Sequence, residues 1–168
     1  ILRRVDPGSI CIWIATSKPF QISAKLYHIR SSPMRPAQTY HLVSEQSKME
    51  RIRFGRRLFI YMIKITPVSG TFPSQTLLGY NLFFTSGSNT VDLSDFGLLD
   101  PGDGSLVYGS LRYPSFFIPE GKHTNILYGS CRKLHGKGED ALAAGDMQVE
   151  EIYQDLEARP HALFLLGD

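Results

Sequence analysis

Up to about Ile118 the sequence is a succession of short β-branched and aromatic runs set between turn residues, with no helical period in it. Such a stretch must fold as strands that pair with distant strands, because it cannot bury a helical stripe. Ser9 to Thr16 reads Ser-Ile-Cys-Ile-Trp-Ile-Ala-Thr, between Asp6-Pro7-Gly8 and Lys18-Pro19. Ile22 to Tyr27 alternates as a half-exposed strand should. Thr39 to Val43 follows a Pro-Met-Arg-Pro loop, Leu58 to Ile65 ends at Thr66-Pro67, and Tyr80 to Phe84 adds a further strand. The spacing predicts a fibronectin- or immunoglobulin-like β-sandwich, with Trp13 in its core. Val91 to Pro119 is rich in Gly, Asp, Ser and Pro, and is expected to carry the chain from one domain to the next.

From Asn125 the texture changes. Ile126 to Gly129 is a short apolar strand. Ala141 to Ala158 places Leu142, Val149, Ile152, Tyr153 and Leu156 on one helical face, with Glu150, Glu151, Asp155 and Glu157 mostly on the other. Asp140 is a candidate N-cap, and Gly145-Asp146 is a candidate break. Pro160 follows, then the apolar run Ala162 to Leu166. Strand, helix and apolar strand in that order predict a βαβ unit with two parallel strands. The expected division is a β-sandwich over 1–118 and the opening of an α/β domain over 119–168. The whole is therefore mainly β, with the first βαβ unit of a second domain attached.

Composition narrows the function classes. With 42% hydrophobic and 20% charged residues among 168, the chain has material for a core and is no disordered tail. Two cysteines cannot build a zinc ribbon or a disulfide framework. No apolar run approaches the roughly 20 residues of a spanning helix, so no membrane span is expected. A net charge of +2 does not suggest nucleic acid. No signal peptide is visible, which favours a cytoplasmic over an exported location. Both ends, at Ile1 and at a strand pattern closing on Gly167-Asp168, are read as cut.

In open α/β sheets ligands bind at the carboxyl ends of the strands. Here those positions hold Gly129-Ser130-Cys131-Arg132 and Gly167-Asp168. A thiolate and a carboxylate at adjacent strand ends could share a metal. A buried structural cysteine and a helix-capping aspartate explain the same spacing, and are the commoner case. Other chemistries fit worse. A tyrosine-phosphatase loop needs Arg where Lys137 stands, and a thioredoxin-type site needs a second cysteine three residues away. Neither Gly121-Lys122-His123 nor Gly136-Lys137-Gly138 completes a Walker loop. A disulfide between Cys11 and Cys131 would have to cross the two domains.

Leu127-Tyr128-Gly129-Ser130-Cys131-Arg132, a helix, and then Phe164-Leu165-Leu166-Gly167-Asp168 resemble the opening of the metallophosphatase domain of the PhoD-like (alkaline phosphatase D) family. Asp6-Pro7-Gly8-Ser9-Ile10-Cys11-Ile12-Trp13-Ile14-Ala15-Thr16 resembles the start of that family's N-terminal β-sandwich. The resemblance implies hydrolysis of phosphate mono- or diesters by a hydroxide held between two metal ions, iron and calcium. It implies Cys131 as an iron ligand and Asp168 as the carboxylate bridging the metals. Lys133 stands where related phosphoesterases carry a ligand His. Arg132 could contact phosphate, although a solvated or structural Arg is the commoner reading.

The family's remaining ligands, a Tyr, an Asn and several His, follow later in its chains. Two ligands cannot hold two ions that each need at least about four donors. The piece alone is thus expected to be inactive and to bind metal weakly or not at all. His135 could support a metal site but is more simply a loop residue facing water. His123 and His161 fall at strand starts, away from the expected site, and His28 and His41 lie in the β region. Lys48, Arg51, Arg53, Arg56 and Arg57 around Phe54-Gly55 read as the solvated tip of a hairpin, without the aromatic platform of a nucleic-acid groove. The rival to the enzyme reading is a non-catalytic β-sandwich that serves as a binding module. An exposed edge and one exposed face are expected on the short parallel sheet.

Overall fold

The structure is a computed structural model, which describes residues 1–32, 35–102, 104–121, 123–130 and 141–166. The chain forms two compact units, Ile1–Ile118 and Pro119–Asp168. Among the described residues it is mainly β, with one short helix.

The first unit contains two antiparallel sheets. One comprises β1 (Leu2–Asp6), β2 (Ser9–Thr16), β5 (Ser47–Arg53) and β6 (Phe59–Ile65), in the order β1-β2-β6-β5. The other comprises β3 (Gln21–Ser32), β4 (Arg35–Ser44), β7 (Leu78–Ser86) and β8 (Asn89–Asp92), in the order β4-β3-β7-β8, with β9 (Ser115–Phe116) pairing β7. Along β6 the burial alternates with the period of two that a pleated strand imposes: Phe59, Tyr61, Ile63 and Ile65 are buried, and Lys64 is exposed. Ile10 and Ile12 of β2 join them, and Ile22, Ala24, Leu26, Leu82 and Phe84 come from the other sheet, so both sheets share one hydrophobic cluster.

Side chains of the first sheet also satisfy backbone donors of the second. β4 pairs β3 only from Leu26 onward, which leaves the amino-terminal half of β3 without a neighbour on that side. There Phe20 N–H donates to Tyr61 Oη (2.9 Å), Ile22 N–H to Met49 Sδ (3.2 Å) and Ala24 N–H to Ser47 Oγ (3.1 Å). Left unpaired in a half-buried strand, each of these donors would cost about 1–3 kcal/mol.

Several expectations change. Trp13 is not in the core: it alternates with the buried Ile12 and pairs Met62, on the outer face of its sheet. Strand parity, which sends neighbouring side chains to opposite faces, decides this. Val91–Pro119 is no bare connector. Leu93, Leu111, Phe116 and Ile118 are buried, β8 and β9 extend the sheet, and Tyr80 N–H donates to Pro114 O (3.1 Å). Strand β4 starts at Arg35, so Pro36 lies inside it, as an edge strand permits. Strands β1, β5, β8 and β9 were not expected.

In the second unit, β10 (Ile126–Ser130) and β11 (Ala162–Leu166) pair in parallel, with Leu127 opposite Leu163 and Ser130 opposite Leu166. Helix α1 (Ala141–Ile152) lies between them in the chain. It runs unbroken through Gly145-Asp146. A Cβ at Gly145 would stand 2.9 Å from Leu127 Cδ2, the end of a flexible side chain. The helix also ends before the expected Ala158. Asp155 Oδ1 accepts the N–H groups of Glu157 and Ala158 (both 3.1 Å), and this local turn competes with another helical turn. The proposed cap Asp140 is outside the described residues.

Apolar exposure on the strand pair is two-sided rather than confined to one face. Leu163, Phe164, Leu165 and Leu166 are each about half exposed, although successive residues point to opposite faces.

Candidate functional site

The site read from the sequence is built on the carboxyl ends of β10 and β11. Their apolar residues make a parallel pair in strict one-to-one register over five residues each. The last partners are Ser130 and Leu166, so both strands end at the same level. The next residues in the chain are Cys131-Arg132 after β10 and Gly167-Asp168 after β11. Cys131, Arg132, Lys133, His135 and Asp168 all lie outside the described residues. Among the described residues, no group of three or more His, Cys, Asp or Glu could hold a metal ion.

The opposite, amino-terminal end of the pair is fastened by side chains. His161 Nδ1 accepts the N–H of Asn125 (2.9 Å), and the His161 N–H donates to Asn125 O (2.8 Å). Asn125 Nδ2 donates to Glu157 O (2.5 Å), which ties the turn after α1 to the start of β10. His161 thus holds the entry of both strands. His123 is exposed in the segment before β10.

The motif Asp6-Pro7-Gly8-Ser9 makes the turn between β1 and β2. Asp6 Oδ1 accepts the N–H groups of Gly8 (2.9 Å) and Ser9 (2.8 Å), and Arg4 Nε donates to Oδ2 (2.7 Å). Burial acts upward on the carboxyl, but these donors outweigh it and hold Asp6 below the usual carboxylate range. The turn explains why Asp, Pro and Gly stand together there. Cys11 is half-buried on β2 and, among the described residues, carries a free thiol.

Two groupings emerge that no motif announced. His28 of β3 faces His41 of β4, and Arg30 Nε donates to His28 Nδ1 (3.4 Å). Burial, then the positive charges of Arg30 and His41, push His28 below the usual imidazole range. Tyr27 stacks on Tyr113 with ring centres 4.6 Å apart, and Tyr40 meets the same ring edge-on at 5.5 Å. The Arg112 guanidinium lies 5.2 Å from the Tyr113 ring centre, and Arg112 N–H donates to Tyr40 Oη (2.7 Å). Burial, reinforced by Tyr113, pushes Tyr27 up to about 12. This cluster fixes the 108–114 segment against the sheet. Positions 27, 40 and 113 share no sequence pattern, so only strand register could have revealed it.

The basic residues Arg51, Arg53, Arg56 and Arg57 stand where β5 turns into β6, at a hairpin tip. No helix is long and apolar enough to cross a membrane among the described residues.

Comparison with models of protein families, with curated proteins and with solved structures returned no match.

Proposed function

We propose that the chain is the N-terminal part of a PhoD-like metal-dependent phosphoesterase that hydrolyses phosphate mono- or diesters. In this reading residues 1–118 are its fibronectin-like sandwich, and residues 119–168 open its α/β catalytic domain with a first βαβ unit. The observation that carries the reading is the register of β10 against β11. Ser130 is opposite Leu166, so the strands that lead in sequence to Cys131 and to Gly167-Asp168 end at the same level of the pair. In α/β sheets that end gathers ligands from several strands.

Two-sided apolar exposure on β11 supports the same reading, because parallel strands are ordinarily covered on both faces by helices. A pair belonging to a wider sheet would be covered in that way.

Cys131 and Asp168 suit the proposed cations chemically. Cys131 would offer a thiolate, which donates charge to a ferric ion, and Asp168 would offer a carboxylate, a donor that suits either cation. A metal pair of this kind supplies Lewis acidity at the phosphoryl group. Arg132 would meet the phosphate of the ester substrate through charge-assisted hydrogen bonds. Two donors fall short of what two ions need, so in this reading the activity would draw on ligands beyond Cys131 and Asp168.

The test is the Cys131→Ala substitution in the parent polypeptide, with iron measured by elemental analysis beside hydrolysis of an aryl phosphate. Loss of about one iron per chain together with a loss of rate of at least about 100-fold is expected, since ligand removal abolishes a metal site. Unchanged iron and rate would sink the ligand assignment and favour a binding module.

A further inference from the structure

The hairpin that joins β5 to β6 carries an unusual surface. Strands β5 and β6 are joined by the tip Phe54–Leu58, closed by a hydrogen bond from Phe54 N–H to Leu58 O (2.8 Å). Gly55 turns the chain with φ of 74°, in the left-handed region that favours glycine. Arg53 Nε donates to Gly55 O (2.7 Å), and its guanidinium lies 5.7 Å from the Phe59 ring centre. The tip is therefore an ordered turn, not a slack loop.

Every residue from Glu50 to Leu58 is exposed. Among them are three large apolar side chains, Ile52 at 60%, Phe54 at 54% and Leu58 at 42% exposure. Between them stand Arg51, Arg53, Arg56 and Arg57, with no acid from Arg51 to Leu58. Each apolar residue has an arginine as chain neighbour. None of the four arginines is ion-paired among the described residues, where the surface pairs are Arg4–Asp6 and Lys25–Glu45. Lys18 adds a further cation at this end of the sheet, two residues past Thr16, the partner of Phe59. Ile60 pairs both Ile52 and Ala15, and Met62 pairs Trp13, so a half-exposed apolar strip runs from the tip along the outer face.

We propose that this hairpin tip docks the protein on an anionic lipid bilayer, with Ile52, Phe54 and Leu58 entering the headgroup–acyl boundary and the four arginines meeting lipid phosphates. Charge complementarity argues for this occupant. A cluster of arginines without an acidic partner among the described residues is complementary to a dense array of phosphates, and each basic residue near such a surface contributes about 1 kcal/mol. The apolar residues argue against nucleic acid. Ile52 and Leu58 offer no ring for base stacking, and Phe54 is the tip's one aromatic. A bilayer interface accepts both kinds of side chain together, because arginine stems lie along apolar surface while their heads remain at the phosphates. The proposal is independent of the phosphoesterase reading.

Sedimentation with phosphatidylcholine vesicles, with and without phosphatidylserine, tests it. Binding is expected only where phosphatidylserine is present. Arg56→Gln with Arg57→Gln should weaken it about 30-fold, the effect of two surface charges. Phe54→Ser with Leu58→Ser should weaken it at least about 10-fold with every charge intact. All four residues are exposed, so thermal unfolding of both variants should match the parent. As a second readout, Phe54→Trp should keep the affinity and shift its emission to the blue on vesicles, against the Trp13 background. No dependence on phosphatidylserine would overturn the proposal. So would full binding by the serine variant, or a single-stranded oligonucleotide that displaces the vesicles at equal charge.

Discussion

The two units of the chain use apolar residues to different effect. In the first, side chains from two antiparallel sheets meet in one cluster, and Ile10, Ile12, Leu26, Tyr61, Ile63, Ile65 and Leu78 have no exposure at all. In the second, β11 is as apolar as any of those strands, yet four of its five residues are about half exposed. Among the described residues of that unit only Arg159 is buried, where Nη1 donates to Tyr153 O (3.0 Å). Composition does not make a core. Two twisted antiparallel sheets can close on each other, while a two-stranded parallel pair has both faces to cover and, among the described residues, one helix between its strands.

The contrast is broken or sharpened first by paired truncations. Ile12→Ala removes a side chain with no exposure from the first unit and should cost about 2–5 kcal/mol, from lost burial and the cavity left behind. Leu165→Ala, at 53% exposure, should cost under about 1 kcal/mol. Urea unfolding followed by far-ultraviolet dichroism measures both. Equal costs would mean that β11 is covered in solution and that the two units are alike.

Glycines give a finer comparison. A Cβ at Gly79, in β7, would stand 2.9 Å from Ile29 Cδ1, 3.3 Å from Tyr113 Cβ and 3.4 Å from the backbone oxygen of Pro114. Gly79→Ala should therefore destabilise the first unit by about 1–3 kcal/mol, because a packed wall cannot yield on three sides. At Gly145 the near atom is the free end of Leu127, a partly exposed side chain able to change rotamer. Alanine there gains up to about 1 kcal/mol of helix propensity, so Gly145→Ala should be neutral or stabilising. Opposite signs in the two melting curves are the expected result. A destabilised Gly145→Ala would show that α1 is as tightly packed on β10 as the 108–114 segment is on β7.

How much of this was legible in the sequence depends on where each signal resides. Strands buried on one face, such as Ser9–Thr16 and Phe59–Ile65, declare themselves through β-branched residues and flanking turns. The pair β10 and β11 reads as two apolar runs around a helical stripe. Strand β5 gives no strand signal because it is an edge strand, and its Lys48, Glu50, Arg51 and Arg53 give it the charge of a loop. Strand β9 has two residues and depends wholly on its partner β7. Trp13 was misplaced because residue type suggests a core while parity, fixed by the buried Ile10 and Ile12, assigns the outer face. The motif residues Cys131, Arg132 and Asp168 are legible only as residue types beyond two strand ends. The His28–His41 contact depends on a register between β3 and β4 that no local pattern contains.

That histidine pair supports the smallest expected effect. His28 is held below the usual imidazole range by burial and by the charges of Arg30 and His41. A folded value below the unfolded one means that the unfolded chain binds more protons in the window beneath about pH 6.5. The stabilising contribution is complete above that value and is lost as pH falls through the folded one. Arg30 and His41 both face His28, so charging it sets a second cation beside the Arg30 guanidinium. Unfolding should therefore require less urea at pH 5 than at pH 7.5, and His28→Gln should shrink that difference. Titration of Asp6 does not mimic this, since its carboxyl is held low and ionised throughout the interval. A pH difference untouched by His28→Gln would place the proton elsewhere. A difference that also vanishes in Arg30→Gln would show that repulsion from Arg30, its neighbour along β3, more than burial, keeps the imidazole neutral.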